Sequence, residues 1–501
     1  LMPVAGASIR HGPWTSGVRY DLPAEEQSTS MLYAMSNTKV GLSGEVRKRL
    51  GFAKYIATAL SSTTLTAVGY AQFSASSGNA FCVAGTALYE DMSGTWTERM
   101  PSSGVSITAA TDNTFEWVNA GGTIVLTNGV NGAIKWAASG GDCAALDVDS
   151  RFSTADHVEY FDGRLWLANT NANEDRVWRS DAGDIETWGS TSFYGIDHPI
   201  TGLKAFANAL AVHAEDGIWL LQPTGNSSVP FSVQRQVGSG TISGRALVTL
   251  PDGSQVFPRR DGIYRWHGGP VTKISGALDG SRYWDNINAS RLLQSFAVVY
   301  PDQNEVWFQV PYGAGQSNMN HTIVFDYNRG IWYGPYEDYT RNCGAIVDDI
   351  PHLGGVGDGL LYKHDSGTND NTAAIVASFQ TGATPPSGGE VDVRWQYARH
   401  YFELKGDHSV QVGQRSTGIV GETESIEMGG SYAGLDSFVL GIDILAEPDL
   451  VLLSDTDLHG YDPHTSLRYQ NSGADEEFIF RRVHLQYKPI GRTRQRLAGV
   501  E

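Results

Sequence analysis

Residues 208–225 read NALAVHAEDGIWLLQPTG. Leu210 and Val212 alternate with Ala211 and His213, a beat of period two. Glu215, Asp216 and Gly217 follow, and then a second apolar run from Ile218 to Leu221. The pattern predicts strand, tight turn, strand, with Gly217 expected to supply a positive φ. The unit recurs at 255–266, QVFPRRDGIYRW, where Asp261-Gly262-Ile263-Tyr264 stands 45 residues after Asp216-Gly217-Ile218-Trp219. A third copy is Asp358-Gly359-Leu360-Leu361-Tyr362. Self-similarity of this period, with strands alone inside each unit, is the signature of propeller blades.

Working outward, one aliphatic anchor after each turn can be followed through the chain: Leu88, Ile134, Val177, Ile218, Ile263, Ile323 and Leu361. The spacings are 46, 43, 41, 45, 60 and 38 residues. A second series, expected on the outer strands, is Trp96, Leu146, Trp188, Phe231, Val271 and Trp332. The widest spacing coincides with GAGQSNMN at 313–320, an expected loop insertion. Seven units can be counted, and six blades with an embellishment remain open. The fold class expected is all-β: a β-propeller of six or seven blades with an additional C-terminal β-sheet or sandwich domain. The expected division is an N-terminal arm at 1–50, the propeller at 51–376, a Gly/Pro linker at 377–390 and the β domain at 391–501. Long alternating runs at 391–404 and 477–489, with shorter ones at 438–445 and 450–453, are the strands of that last domain.

Composition agrees with many turns and strands: 58 glycines in 501 residues, with 13 Trp, 22 Tyr and 18 Phe. The net charge of −19 repels nucleic acid at long range and argues against a sequence-specific DNA binder. Plain solubility is the simpler account of such a charge. Cys82, Cys143 and Cys343 are odd in number and far apart, so a disulfide framework is not indicated and a reducing compartment is expected. Neither a long apolar run nor a leader pattern is visible, so no membrane span is expected.

Against this acidity two basic stretches stand out. One holds Arg47, Lys48, Arg49 and Lys54; the other holds Arg481, Arg482, Lys488, Arg492, Arg494 and Arg496. Each is read either as a solvated edge guarded by cations or as a surface that docks an acidic neighbour. Catalytic patterns are weak. SDAGDIETW at 180–188 is an imperfect Asp-box, a hairpin device rather than a catalytic element. Asp455-Thr456-Asp457-Leu458-His459-Gly460 partly matches a calcium loop, but Ser466 stands where a bidentate Glu belongs, and an Asx-turn is the simpler reading. His459 and His464 lack the further ligands that zinc requires. The glycines at 355, 357 and 359 precede a strand and not a helix, which excludes a dinucleotide cradle. Asp348-Asp349 and Glu476-Glu477 read as solvated loop charges. No cofactor, metal or catalytic residue is expected.

Three features together resemble the β-propeller tail proteins of short-tailed bacteriophages, the tail nozzle or tail tubular protein B family. They are the stretch from Gly44 to Phe52, similar to the lead-in to the family's first blade; blade text such as VWRSDAGDIETW at 177–188 and IVFDYNRGIWYG at 323–334; and the closing RRVHLQYKPIG at 481–491. Arg49-Leu50-Gly51 departs from the family's usual Arg-Pro-Gly. The resemblance implies a non-enzymatic virion protein, assembled in the bacterial cytoplasm. It implies a cyclic homo-oligomer, expected as a hexamer, below the head–tail adaptor, with the adaptor and other tail proteins as partners. Double-stranded viral DNA would pass through the lumen without specific binding. The competing expectation is a glycan-acting propeller enzyme or lectin with a pocket at the propeller axis, and a third is a lone protein-binding propeller.

Overall fold

A computed structural model of the chain describes residues 7–61, 63–100, 104–146, 154–386, 391–403, 405–406, 408–416, 419–428 and 451–492. The chain divides into two units, one of Phe52–Gly330 with Glu337–Asp365, the other of Leu1–Gly51, Ile331–Tyr336 and Ser366–Glu501.

The larger unit is a β-propeller. Its described residues form seven antiparallel sheets, each a meander running outward from an innermost strand. The innermost strands are Leu65–Ser74, Glu116–Ala120, His157–Phe161, Gly202–Phe206, Val248–Thr249, Phe296–Tyr300 and Arg341–Val347. Each lies beside the next, and Arg341–Val347 lies beside Leu65–Ser74, so the ring is closed. The seventh sheet takes its outer strand from the start of the propeller: Phe52–Lys54 pairs with Leu361–His364, Phe52 opposite His364. The apolar core lies between neighbouring sheets, as where Phe81, Leu88, Ile124 and Trp136 share one cluster and Trp166, Val212 and Phe231 another.

All seven aliphatic anchors fall on the third strand of a sheet, and all are buried. The outer series is less regular. Trp96 and Phe231 lie on fourth strands, Leu146 and Val271 flank the two-residue strands Ala144–Ala145 and Thr272–Lys273, and Trp188 precedes Phe193–Gly195 in a loop. Trp332 lies in Ile331–Tyr336, grouped with the other unit. The 60-residue spacing has two sources: the loop at 313–320, and three short 3-10 turns, Gly276–Leu278, Trp284–Asn286 and Leu292–Gln294.

The expected role of Gly217 is corrected. It is the first residue of Gly217–Asn226, paired with Ala214, and is not among the positive-φ glycines. Its Cβ would stand 2.6 Å from the Trp219 ring, so the glycine makes room for that indole. At the third copy the expectation holds: Gly359 has φ +67, and a Cβ there would fall 1.9 Å from the Leu60 carbonyl oxygen.

The smaller unit is a β-sandwich. We number its principal described strands β1 (Ala7–His11), β2 (Leu32–Ser36), β3 (Thr38–Val40), β4 (Val46–Lys48), β5 (Ala377–Thr381), β6 (Val391–Glu403), β7 (Ser409–Ser416), β8 (Ile419–Glu427), β9 (Val451–Asp457), β10 (Ser466–Asn471) and β11 (Ile479–Arg492). One sheet has the order β3-β4-β11-β6-β9, with β1 also on β11; the other has the order β2-β5-β10-β7-β8. They face each other through aromatic rings: Tyr469 of β10 lies 4.4 Å from Phe480 of β11, and Phe379 of β5 lies 5.3 Å from Phe480. His400 on β6 donates or accepts across the same core at 2.9 Å with the Tyr469 hydroxyl.

Two expected boundaries differ from this arrangement. The expected arm at 1–50 is not separate in its described residues: β1 pairs with β11, β2 with β5, and β4 with β11. The expected linker at 377–390 begins inside β5, whose Phe379 is buried. Both differences arise from pairings between residues hundreds of positions apart, which local composition does not record. The expected strand at 438–445 lies outside the described residues.

Candidate functional site

The basic residues expected to dock a neighbour fall into separate environments. Lys48 is buried on β4, where its Nζ donates to Asn471 Oδ1 at 2.9 Å and to the Gly473 carbonyl at 3.1 Å. Burial lowers its pKa to about 8, against the opposing pull of Glu476. Arg49 is 4% exposed. Its guanidinium meets both Asp370 oxygens, at 2.7 and 2.6 Å, donates to Asn37 Oδ1 at 2.8 Å and lies over the Tyr336 ring. These two cations are internal fasteners of the sandwich, which corrects their expected role as docking groups. The reason is local for Lys48, which alternation along β4 turns inward with Val46, and distant for Arg49, which meets Asp370 just beyond the strand.

Arg47 is half-buried on β4 opposite Ile479. Lys54 is exposed on the closing strand of the propeller. Arg481 is exposed and paired with Glu403 at 2.7 Å. Arg482 stacks on Tyr401, 4.2 Å from the ring centre. Lys488 is exposed opposite Arg394. Arg492 ends β11 opposite Val391, and Arg494 and Arg496 lie outside the described residues.

The motifs considered for catalysis and metal binding are occupied structurally. In the imperfect Asp-box, Asp184 accepts from the Glu186 N–H at 2.9 Å and from the Thr187 hydroxyl at 2.7 Å, which lowers its pKa. Asp455 on β9 accepts two 2.8 Å hydrogen bonds from Arg399 opposite it on β6, and residues 455–457 end that strand, so the carboxylate is engaged across the sheet and not in a calcium loop or an Asx-turn. Asp348 and Asp349 both have positive φ and form the turn between Arg341–Val347 and Ile350–Gly355. Glu476 accepts from Asn471, and Glu477 approaches Lys405 at 3.8 Å. Among the described residues no cluster of His, Cys, Asp or Glu is arranged to hold a metal ion.

One feature not anticipated residue by residue is the propeller axis. A cavity of about 460 Å³ is lined by residues of all seven innermost strands or their lead-ins. Its charged groups are Glu116, Lys204 and Arg245, with Trp117 and Phe296 among its apolar walls. Glu116 Oε1 meets His157 Nδ1 at 3.0 Å, and Lys204 Nζ meets Glu159 Oε2 at 3.2 Å. Burial opposes charge on the imidazole, but Glu116 and Asp156 outweigh it and push His157 up to about 9. Glu159 raises Lys204. Arg245 donates to the carbonyls of Asn342 and Gln294, and burial lowers its pKa. The acids and bases nearly cancel, so the axis carries little net field. The signal for these residues was weak, because Glu116, His157, Lys204 and Arg245 stand in different units of the repeat, 41 to 47 residues apart, and meet only when the ring closes.

No protein-family model matches the chain, and no curated protein matches it significantly. Solved structures show distant similarity to β-propeller proteins. The computationally designed Ika8 protein is 13% identical, with a TM-score of 0.37 over 63% of this chain and 99% of its own. The extracellular domain of the putative one component system BT4673 from B. thetaiotaomicron is 11% identical, with a TM-score of 0.45 over 88% of this chain and 63% of its own. YCF48 bound to D1 peptide is 10% identical, with a TM-score of 0.37 over 66% of this chain and 99% of its own. Likeness at this level concerns the fold alone.

Proposed function

We propose that the chain is a non-enzymatic structural subunit of a short-tailed bacteriophage tail, one copy of a ring or nozzle through which the genome leaves the capsid. The observation that carries the reading is the meeting of the two most distinctive stretches of the resemblance. The stretch from Gly44 to Phe52 and the stretch at 481–491 are far apart in sequence, yet β4 pairs with β11, Val46 opposite Phe480 and Arg47 opposite Ile479. The first stretch then leads directly into Phe52–Lys54, the strand that closes the propeller. Both behave as framework of one design, which a family-wide pattern requires.

Size supports the same reading. The axial cavity, about 460 Å³, is ligand-sized and carries ion pairs. A DNA channel therefore runs between copies, with acidic surface repelling phosphate. A closed ring of copies needs two different complementary patches on each subunit. Exposed Lys54 on the propeller and exposed Lys488 on the sandwich remain available as docking cations.

The test is the mass of the purified protein in solution, beside images of particles carrying the adaptor. A six-fold ring, or monomers that join only the adaptor, is the expected result; a monomer that never enters a particle refutes it. The axial cavity favours a second reading, a glycan-binding or glycan-cleaving propeller, because Trp117 lines it together with Glu116 and Arg245. Saturable binding or hydrolysis of a sialoside, lost in Arg245→Ala, would select it.

A further inference from the structure

One edge of β11 is shared by two short strands. β4 covers Ile479 and Phe480, and β1 covers Val483 to Tyr487. Neither pairs with Arg481 or Arg482. At the same place the opposite neighbour, β6, shifts register: Tyr401 faces Arg482 while Phe402 faces Phe480, which leaves Arg481 as an extra residue. Such a bulge re-aims side chains. Here Arg481 and Arg482 both line a cavity of about 310 Å³, and Arg10 from β1 lines it with them.

The charges in this cavity do not balance. Arg481 is met by Glu403 at 2.7 Å. The other lining carboxylate, Glu45, accepts from the Ser43 N–H at 3.0 Å. Among the described residues neither Arg10 nor Arg482 has a carboxylate within ion-pair distance. Arg482 is fixed by stacking on Tyr401 at 4.2 Å, yet among the described residues its buried Nε has no hydrogen-bond partner. The neighbouring imidazole records the excess of positive charge: His484, opposite Arg10 in register, is held below its ordinary value by burial and then by Arg482, Arg10 and Arg399.

We propose that this cavity binds a small tetrahedral oxyanion, phosphate or the phosphate of a small monoester, with Arg10 and Arg482 as its principal donors and Arg481 as a third. Guanidinium forks match the spacing of phosphate oxygens, and a stacked arginine is already oriented before the anion arrives. The volume is at the lower end of small-molecule pockets, which favours a compact ligand over a polymer.

The experiment is calorimetric titration of the full chain with inorganic phosphate, and in parallel with glycerol phosphate, at low ionic strength. One saturable site is expected. Equal affinity for the two identifies the phosphate group alone as the ligand, and tighter binding of glycerol phosphate identifies a monoester. Arg10→Gln, at an exposed position, should weaken binding about tenfold or more, the worth of one charge-assisted hydrogen bond. Glu403→Gln should act in the opposite direction by releasing Arg481. Should Arg482→Gln fail to fold, these two variants carry the test. Absence of a saturable site, or affinity unchanged in Arg10→Gln and Glu403→Gln, overturns the proposal.

Discussion

Replacing Asp370 with alanine separates a fastener from a docking group. Arg49 and Asp370 form a two-pronged pair at 2.6 and 2.7 Å, with side chains 3% and 10% exposed. Removing one member of a buried pair leaves an uncompensated charge and costs about 3–5 kcal/mol. Arg49 keeps the Asn37 Oδ1 and Leu50 carbonyl bonds, at 2.8 and 3.0 Å, so the lower end, about 3 kcal/mol, is expected. In a domain of this size class each 1 kcal/mol moves Tm by about 2–4 °C, which gives a fall of roughly 6–12 °C. Scanning calorimetry reads it, in the transition belonging to the sandwich. The double variant Arg49→Met with Asp370→Leu removes both charges and should recover most of the loss, because apolar replacement of a buried pair is close to neutral. A cost below about 1 kcal/mol for Asp370→Ala, or a double variant no better than the single, would refute the internal role and return Arg49 to the surface.

Other expectations follow from the propeller. His157 is pushed above its ordinary 6.5, so the stabilisation it brings is complete below pH 6.5 and is lost as pH rises through about 9. The loss amounts to about 3 kcal/mol; urea titrations across this range should show it, and His157→Gln should flatten the slope. Gly359→Ala combines positive φ with a Cβ 1.9 Å from the Leu60 oxygen, and should cost more than about 1 kcal/mol in chemical denaturation. Phe52→Ala strips the ring that packs against Tyr339, Tyr362 and His364 and over which Arg341 lies at 4.6 Å. A cost of about 3–5 kcal/mol is expected, with amide exchange at 361–364 rising first.

The propeller was legible because its signal is local and repeated. Each of Leu88, Ile134, Val177, Ile218, Ile263, Ile323 and Leu361 is buried on the third strand of its sheet, so one apolar residue recurring after a turn sufficed to find it. Five of the seven described fourth strands have only two or three residues, too few to fix an anchor position, and Trp188 lies in the loop before one of them, Phe193–Gly195. The sandwich was half legible: β6 and β11 announce themselves by length, whereas the short β3 and β4 form a local hairpin and β1, β2 and β4 find β11 and β5 only across the chain. The charges were the least legible. Lys48 and Arg49 look like surface residues until Asn471 and Asp370 arrive beside them. Arg10 attracted no notice in ASIRH, because its meaning depends on a bulge in a strand that begins at Ile479.

The strand that closes the propeller is the first of its strands to be made. Phe52–Lys54 emerges from the ribosome early, and its partner Leu361–His364 comes last. At ordinary synthesis rates of about 5–20 residues per second, roughly 300 residues of waiting correspond to some 15–60 s. Throughout that interval blades one to six can settle one upon another, but a phenylalanine and an unsatisfied strand edge stay available to any other nascent chain nearby. Yield of the finished molecule is thus governed by elapsed time and crowding of polysomes as much as by the free energy of the closed ring, and slow translation before residue 361 is the step at which it is most easily lost.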